Sequence, residues 1–96
     1  MLNIQLARKY GTAIFEIANE DNKLEEYGRE LADVSQALFA QAELKDFLTN
    51  PQIQPEDKKQ VLLRLLKDQV SPMMMNFLLL LVDKRRIVLL EAINDC

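Results

Sequence analysis

The chain has 96 residues, of which 49% are hydrophobic and 28% are charged, and its formal net charge is −3. This length fits one domain with a single core, here residues 1–96, and the absence of a basic cluster argues against a nucleic-acid partner. The chain has no histidine, and its one cysteine, Cys96, excludes a disulfide framework and fits a reducing compartment.

No residue pattern indicates catalysis. The commonest acid–base group and metal ligand, histidine, is missing, and no Gly-rich phosphate loop or metal-ligand spacing occurs. We therefore predict a protein that is not an enzyme, with no catalytic residue, cofactor or metal. No signal peptide is predicted at the start. The helical pattern ends at Cys96 without a capping residue, which favours an excised N-terminal domain over a complete protein.

The elements in chain order are all helices, because Gly and Pro are scarce and long stretches use Ala, Leu, Glu, Lys and Gln. Asn3 is a candidate cap for the first helix, and Asn22 with Glu25 resembles a capping box before the second. The second helix has a clean apolar seam at Leu24, Tyr27, Leu31, Val34 and Leu38. The spacing predicts five helices at about residues 3–19, 23–41, 42–48, 72–83 and 87–94, and one more that begins near residue 55. We therefore predict an all-α fold, a compact six-helix bundle.

The fifth helix is apolar almost all the way round. Asn76 is the single polar residue in Met73–Val82, and Ser71 followed by Pro72 is a helix-start signal. The helix is too short to cross a bilayer, which takes about 20 residues. Two apolar faces of this short helix must therefore be buried, and a domain this small cannot cover both completely. The face that stays uncovered is the candidate functional surface.

The apolar surface of the fifth helix divides into two parts. Three consecutive methionines, Met73–Met75, point about 100° apart, so at least one must look outward. A core side is expected at Phe77, Leu78 and Leu81, and an outward line at Asn76, Leu80 and Asp83.

The first helix has a comparable line, which is separate from its Ala7, Ile14, Phe15 and Ala18 positions. A groove between two such faces would accept an amphipathic helix, although the spacing alone does not establish that the two helices are neighbours. This line consists of Leu6, Tyr10, Ala13 and Ile17.

Residues 7–18, ARKYGTAIFEIA, resemble the opening signature Ala-Arg-x-Tyr-Ala-x-Ala-Leu-Phe-x-x-Ala of the delta subunit of F-type ATP synthases, the equivalent of the mitochondrial oligomycin-sensitivity-conferring protein. Two departures from the family pattern are Gly11, where Ala is usual, and Arg85, where Gly is usual. Further matches follow in order at Leu48–Pro51, Pro55–Lys58, Asn76–Leu81 and Arg86-Ile87.

The resemblance implies a non-catalytic stalk subunit without a cofactor. It implies a six-helix N-terminal domain whose first and fifth helices hold the N-terminal helix of an alpha subunit at the top of the catalytic head. A C-terminal domain, absent from this sequence, would join the b-subunit stalk, and the head would be held against rotor torque. The implied location is peripheral, at the cytoplasmic face of a bacterial inner membrane or the stromal side of a thylakoid, without direct insertion.

The site residues come partly from this resemblance and partly from spacing. By position, Tyr10 and Ala13 match the groove side of the first helix. Leu6 and Ile17 are added from helical spacing only. On the fifth helix the matching positions are Asn76, Leu80 and Asp83.

Two other classes of function are alternatives to a stalk subunit. A self-associating helical module could use the fifth helix as a homodimer interface, whereas the stalk hypothesis expects the isolated domain to be a monomer. A helix bundle that binds a lipid surface is disfavoured, because basic residues do not flank an amphipathic face.

Overall fold

The computed structural model describes residues 3–94, which form six α-helices and one short 3₁₀ helix without a β-strand. The predicted all-α six-helix bundle is confirmed. The predicted starts of the first five helices lie within one residue of the observed ones, and the predicted ends of α1, α2, α3 and α5 lie within two residues. The sixth segment differs, because a 3₁₀ turn precedes a shorter α-helix. The helices are α1 (Ile4–Glu20), α2 (Leu24–Phe39), α3 (Ala42–Thr49), α4 (Pro55–Leu66), α5 (Pro72–Asp83), the 3₁₀ helix (Ile87–Leu89) and α6 (Leu90–Asn94). The prediction for the chain end at Cys96 lies outside the described residues.

Two helix starts follow the capping signals in the sequence. The Asn3 side chain accepts a hydrogen bond from the backbone N–H of Leu6 at 3.0 Å. The Ser71 hydroxyl accepts one from the backbone N–H of Met74 at 3.2 Å. Each bond satisfies one of the amide groups that the first turn of a helix leaves unpaired. Both predicted caps are confirmed.

The predicted capping box at Asn22 is wrong. The residue before α2 is Lys23, which makes no side-chain capping bond, and Asn22 instead has a positive φ of 58°. Asn22 ends α1: the N–H of Lys23 bonds to the carbonyl of Ala18 at 2.8 Å, and the N–H of Asn22 bonds to that of Asn19 at 3.2 Å. This pattern is a Schellman turn, in which Asn tolerates the left-handed conformation.

The core forms where α6 packs against both α1 and α2, while α5 packs against α4 and α2. The seam of α2 is buried as predicted except at Leu24, the first residue of the helix. The start of α5 is held against α2, because the Glu30 carboxylate accepts a hydrogen bond from the backbone N–H of Ser71 at 2.6 Å. Among residues 3–94, no helix combines the length and the apolar character that a membrane span requires. The largest fully buried side chains are Leu38, Leu48, Leu62, Met74, Leu78, Leu81, Val82, Leu90 and Ile93.

Candidate protein-binding groove

The apolar surface of α5 is only partly covered by the domain. Leu78 and Leu81 are fully buried, as predicted, whereas Phe77 is half-buried at the edge of the core. Of the three methionines, Met74 is buried, and Met73 and Met75 are half-buried. The three residues of the predicted outward line are exposed; they are Asn76, Leu80 and Asp83.

The α1 line also lies at the surface. Leu6 and Tyr10 are half-buried, and Ala13 and Ile17 are exposed. Ile17 keeps 40% of its surface exposed, less than Ile4 at 52% and Phe15 at 58% on the same helix. The core side of α1 consists of Ala7, Ile14 and Ala18, whereas Phe15 points to solvent.

The two helices meet at Tyr10. Its ring lies edge-on to the ring of Phe77, with centroids 6.2 Å apart and an interplanar angle of 70°. Arg86 Nη1 donates a hydrogen bond to the Tyr10 hydroxyl at 2.8 Å, and its guanidinium carbon lies 5.9 Å from the ring centroid. Edge-to-face aromatic pairs and cation–π contacts each contribute about 0.5–1 kcal/mol. Tyr10 is therefore held in place from α5 and from the turn that follows it.

Phe77 and Arg86 are residues of this junction that the sequence reasoning missed. Phe77 was predicted for the core, and Arg86 entered only as a residue of the family pattern. One signal could have identified Phe77, because Met73, Phe77 and Leu80 follow one another at intervals of four and three, the spacing of a helix face. No local signal pairs Arg86 with Tyr10, since the two residues are 76 positions apart.

Asp83 lies on a different flank of α5 from Phe77. Its carboxylate accepts a hydrogen bond from Lys59 Nζ of α4 at 2.9 Å, and this bond is the main cause of a raised pKa at Lys59. The pair is half exposed on the Asp83 side, so it contributes little to stability. The Asp83 end of the predicted line therefore faces α4, whereas Phe77 contacts Tyr10 of α1.

We call the surface beside the Tyr10–Phe77 contact the candidate groove, and we define it by Leu6, Ala13 and Ile17 of α1 and Leu80 of α5. Leu80 keeps 44% of its surface exposed. Across residues 3–94 no cluster of three or more side chains could hold a metal ion.

Comparison with known proteins identifies the family. Residues 6–96 match the family model described as ATP synthase delta (OSCP) subunit. The chain belongs to this family. Proteins named ATP synthase subunit delta include one from Gloeothece citriformis that is 39% identical over 98% of this chain and 51% of its own length. The one from Halothermothrix orenii is 42% identical over 97% of this chain and 49% of its own length. The one from Desulforamulus reducens is 45% identical over 90% of this chain and 48% of its own length.

The chain thus spans about half the length of the curated delta subunits that it matches. Delta (OSCP) subunits are non-catalytic structural components of the peripheral stalk, peripheral to the membrane. The prediction that the chain is not an enzyme is confirmed by this membership.

The turn after α5 forms even though Arg85 stands where the resemblance predicts glycine. Arg85 adopts the left-handed conformation, with φ 58°, which favours glycine. The N–H of Arg85 bonds to the carbonyl of Val82 at 2.9 Å, and that of Arg86 bonds to the carbonyl of Leu81 at 2.7 Å, which makes a Schellman turn. This turn ends α5 and positions Arg86 against Tyr10.

Proposed function

We propose that this chain is the N-terminal domain of a delta subunit and that its α1–α5 groove binds the amphipathic N-terminal helix of an alpha subunit. A second domain would join the b-subunit stalk, so that the stalk holds the catalytic head against rotor torque during proton-driven ATP synthesis. The observation that carries this proposal is the apolar surface left open beside the Tyr10–Phe77 contact, with Ile17 40% and Leu80 44% exposed.

The helical elements around the candidate groove favour a helical partner over an extended strand. The described residues are helical on both sides, and a docked helix can place side chains from successive turns along the α1 line. The Arg86 guanidinium beside Tyr10 already bonds to the Tyr10 hydroxyl. The partner helix would therefore bring an apolar stripe whose polar face stays in solvent.

The groove is also suited to a long-lived contact. Affinity depends on a few well-packed anchors and on how little must be ordered when the partner binds, rather than on buried area alone. Tyr10 is restrained by both Phe77 and Arg86 before any partner arrives. A stator domain requires slow dissociation, which such a preformed contact favours.

The assembly implies a peripheral location at the cytoplasmic face of a bacterial inner membrane, or at the stromal side of a thylakoid membrane. Membership in the delta family supports interaction with other ATP synthase subunits. The alpha and b subunits are the partners proposed here, and no nucleic acid or lipid insertion is required.

Calorimetric titration of the 96-residue chain with a peptide that copies the N-terminal helix of the cognate alpha subunit tests this proposal. We expect saturable binding with one peptide per domain. The absence of binding at peptide concentrations up to the millimolar range would reject the groove assignment.

The alternative of a self-associating module is tested by sedimentation equilibrium. The alpha-binding proposal expects a monomer whose apparent mass does not change with concentration. A dimer that is dissociated by Leu80→Glu would instead show that the groove is covered by a second copy of the chain.

A further inference from the structure

Lys58, at the end of the first turn of α4, is a largely buried lysine without a counter-ion among the described residues. Only 5% of its surface is exposed, and its ammonium group has no hydrogen-bond or ion-pair partner among residues 3–94. The neighbouring Lys59, by contrast, pairs with Glu56 at 3.6 Å and with Asp83 at 2.9 Å. Lysine is almost never buried without a partner, because removing its charge from water is costly. The described structure therefore leaves this cation unmatched.

A second cation lies beside Lys58. The pKa of Lys58 is lowered first by its burial and then by the charge of Arg85, and no carboxylate acts in the opposite direction. The Arg85 guanidinium is held at this position because its Nη1 donates a hydrogen bond to the carbonyl of Pro51 at 3.1 Å. The left-handed turn also separates Arg85 from Arg86, which reaches Tyr10 instead.

Lys58 and Arg85 line the same small cavity, which has a volume of about 70 Å³. The other walls are mostly apolar and come from α3, α5 and the 3₁₀ helix, for example Leu48, Val82 and Ile87. No buried side-chain nitrogen or oxygen among the described residues lacks a partner, so the Lys58 ammonium must reach solvent at the cavity opening. One water molecule needs about 10–15 Å³ of such cavity volume, so the cavity has room for a group of a few heavy atoms.

We propose that Lys58 and Arg85 form a binding pocket for one small oxyanion, a phosphate or a carboxylate group. Lys58 would donate a charge-assisted hydrogen bond from inside the cavity, and the remaining N–H groups of Arg85 would bond to the same anion at the opening. The apolar walls strengthen these bonds by lowering the local dielectric. This pocket shares no residue with the proposed groove, because its lining includes no α1 residue and, from α5, only Val82.

The test uses NMR titration of the 96-residue chain with inorganic phosphate and, separately, with sodium acetate, both against chloride at equal ionic strength. We expect saturable shifts of backbone amides around the cavity, at Val82, Ile87 and Val88. Binding of both anions assigns carboxylates to the ligand class, and binding of phosphate alone restricts it to phosphate-type groups. No saturable shift with either anion would overturn the proposal.

Two variants with the same change in net charge make the test specific. Lys58→Met should raise the dissociation constant at least about tenfold, because it removes a charge-assisted hydrogen bond. Lys67→Met, at an exposed lysine just after α4, should leave the dissociation constant unchanged. Equal weakening in the two variants would mean that the anion responds to overall charge, and the pocket would be rejected.

Melting temperatures provide an independent readout. In chloride, Lys58→Met should melt above the unmodified chain, because a partly desolvated ammonium group beside the like charge of Arg85 is replaced by an apolar side chain of similar length. Phosphate should raise the melting temperature of the unmodified chain by more than that of Lys58→Met, since ligand binding stabilises only the protein that has the pocket. A lower melting temperature of Lys58→Met in chloride would show that the fold itself already satisfies Lys58.

Discussion

Replacement of Leu80 is the perturbation whose effect on the proposed groove is best defined by the structure. Leu80 keeps 44% of its surface exposed in the free domain. Full burial of a leucine side chain is worth about 1.5–3 kcal/mol, so a helix that covers the exposed part gains about 0.7–1.3 kcal/mol. Leu80→Ala should therefore weaken binding of the alpha-subunit peptide about fivefold.

Leu80→Glu should have a larger effect. In addition to the lost apolar contact, it places an unpaired carboxylate under the docked helix, which costs at least about 2 kcal/mol more. Together these contributions raise the dissociation constant roughly 100-fold. The folded domain should tolerate the change, because a glutamate at this exposed position can reach solvent in the absence of the partner.

Leu63→Glu is the matched control, because Leu63 lies within α4 and has a similar exposed fraction of 41%. Calorimetric titration with the same peptide should show unchanged affinity for Leu63→Glu and strongly weakened binding for Leu80→Glu. Circular dichroism should show similar helicity for both. Equal affinities of the two variants would refute the placement of the partner beside Leu80, and loss of helicity only in Leu80→Glu would place that side chain in the core.

Three further predictions concern stability. Arg85→Gly should raise the melting temperature by about 2–4 °C. Glycine avoids the cost of about 1 kcal/mol that a left-handed backbone imposes on arginine, and this gain outweighs the loss of the exposed hydrogen bond to the Pro51 carbonyl. A lower melting temperature in a thermal scan would contradict this prediction. Ser71→Ala should lower the melting temperature by about 4–8 °C, because the capping bond to the start of α5 is lost; an unchanged value would show that this cap contributes nothing. The pKa of Tyr27 is raised above 10.0 by burial and by its hydrogen bond to Asp21, so its stabilising contribution is present below pH 10.0 and is lost as the pH rises through the folded-state pKa. Urea midpoints between about pH 8 and 12 should accordingly fall less steeply for Tyr27→Phe than for the unmodified chain, and parallel curves would exclude Tyr27 as the source.

The fold was predictable where local signals determine it. The bounds of α5 follow from Ser71 and Pro72 at its start and from the end of the apolar run near Asp83. Asn22 shows where a local signal is ambiguous, because asparagine suits both a helix N-cap and a left-handed helix end. Only the hydrogen bond from Lys23 back to Ala18 decides between them, and the sequence pattern does not contain that information.

For the proposed site, helical spacing predicted candidate positions on two separate helices but not the contact between those helices. Helical spacing identified exposed positions on α1 and α5, because each face repeats within its own helix. The contact of Tyr10 with Phe77 and Arg86 depends on how distant segments pack, so spacing could not reveal it. For the same reason, the pairing of Asp83 with Lys59 could not be read from the pattern of α5.

The most direct test of the central claim is to map where the alpha-subunit helix lies on the domain. Intermolecular nuclear Overhauser effects between the peptide and the methyl groups of the chain report contacts within a few ångströms. The proposal predicts contacts with Ala13 and Ile17 on α1 and with Leu80 on α5, and none with Leu63 on α4. Contacts confined to α2, α3 or α4 would contradict it.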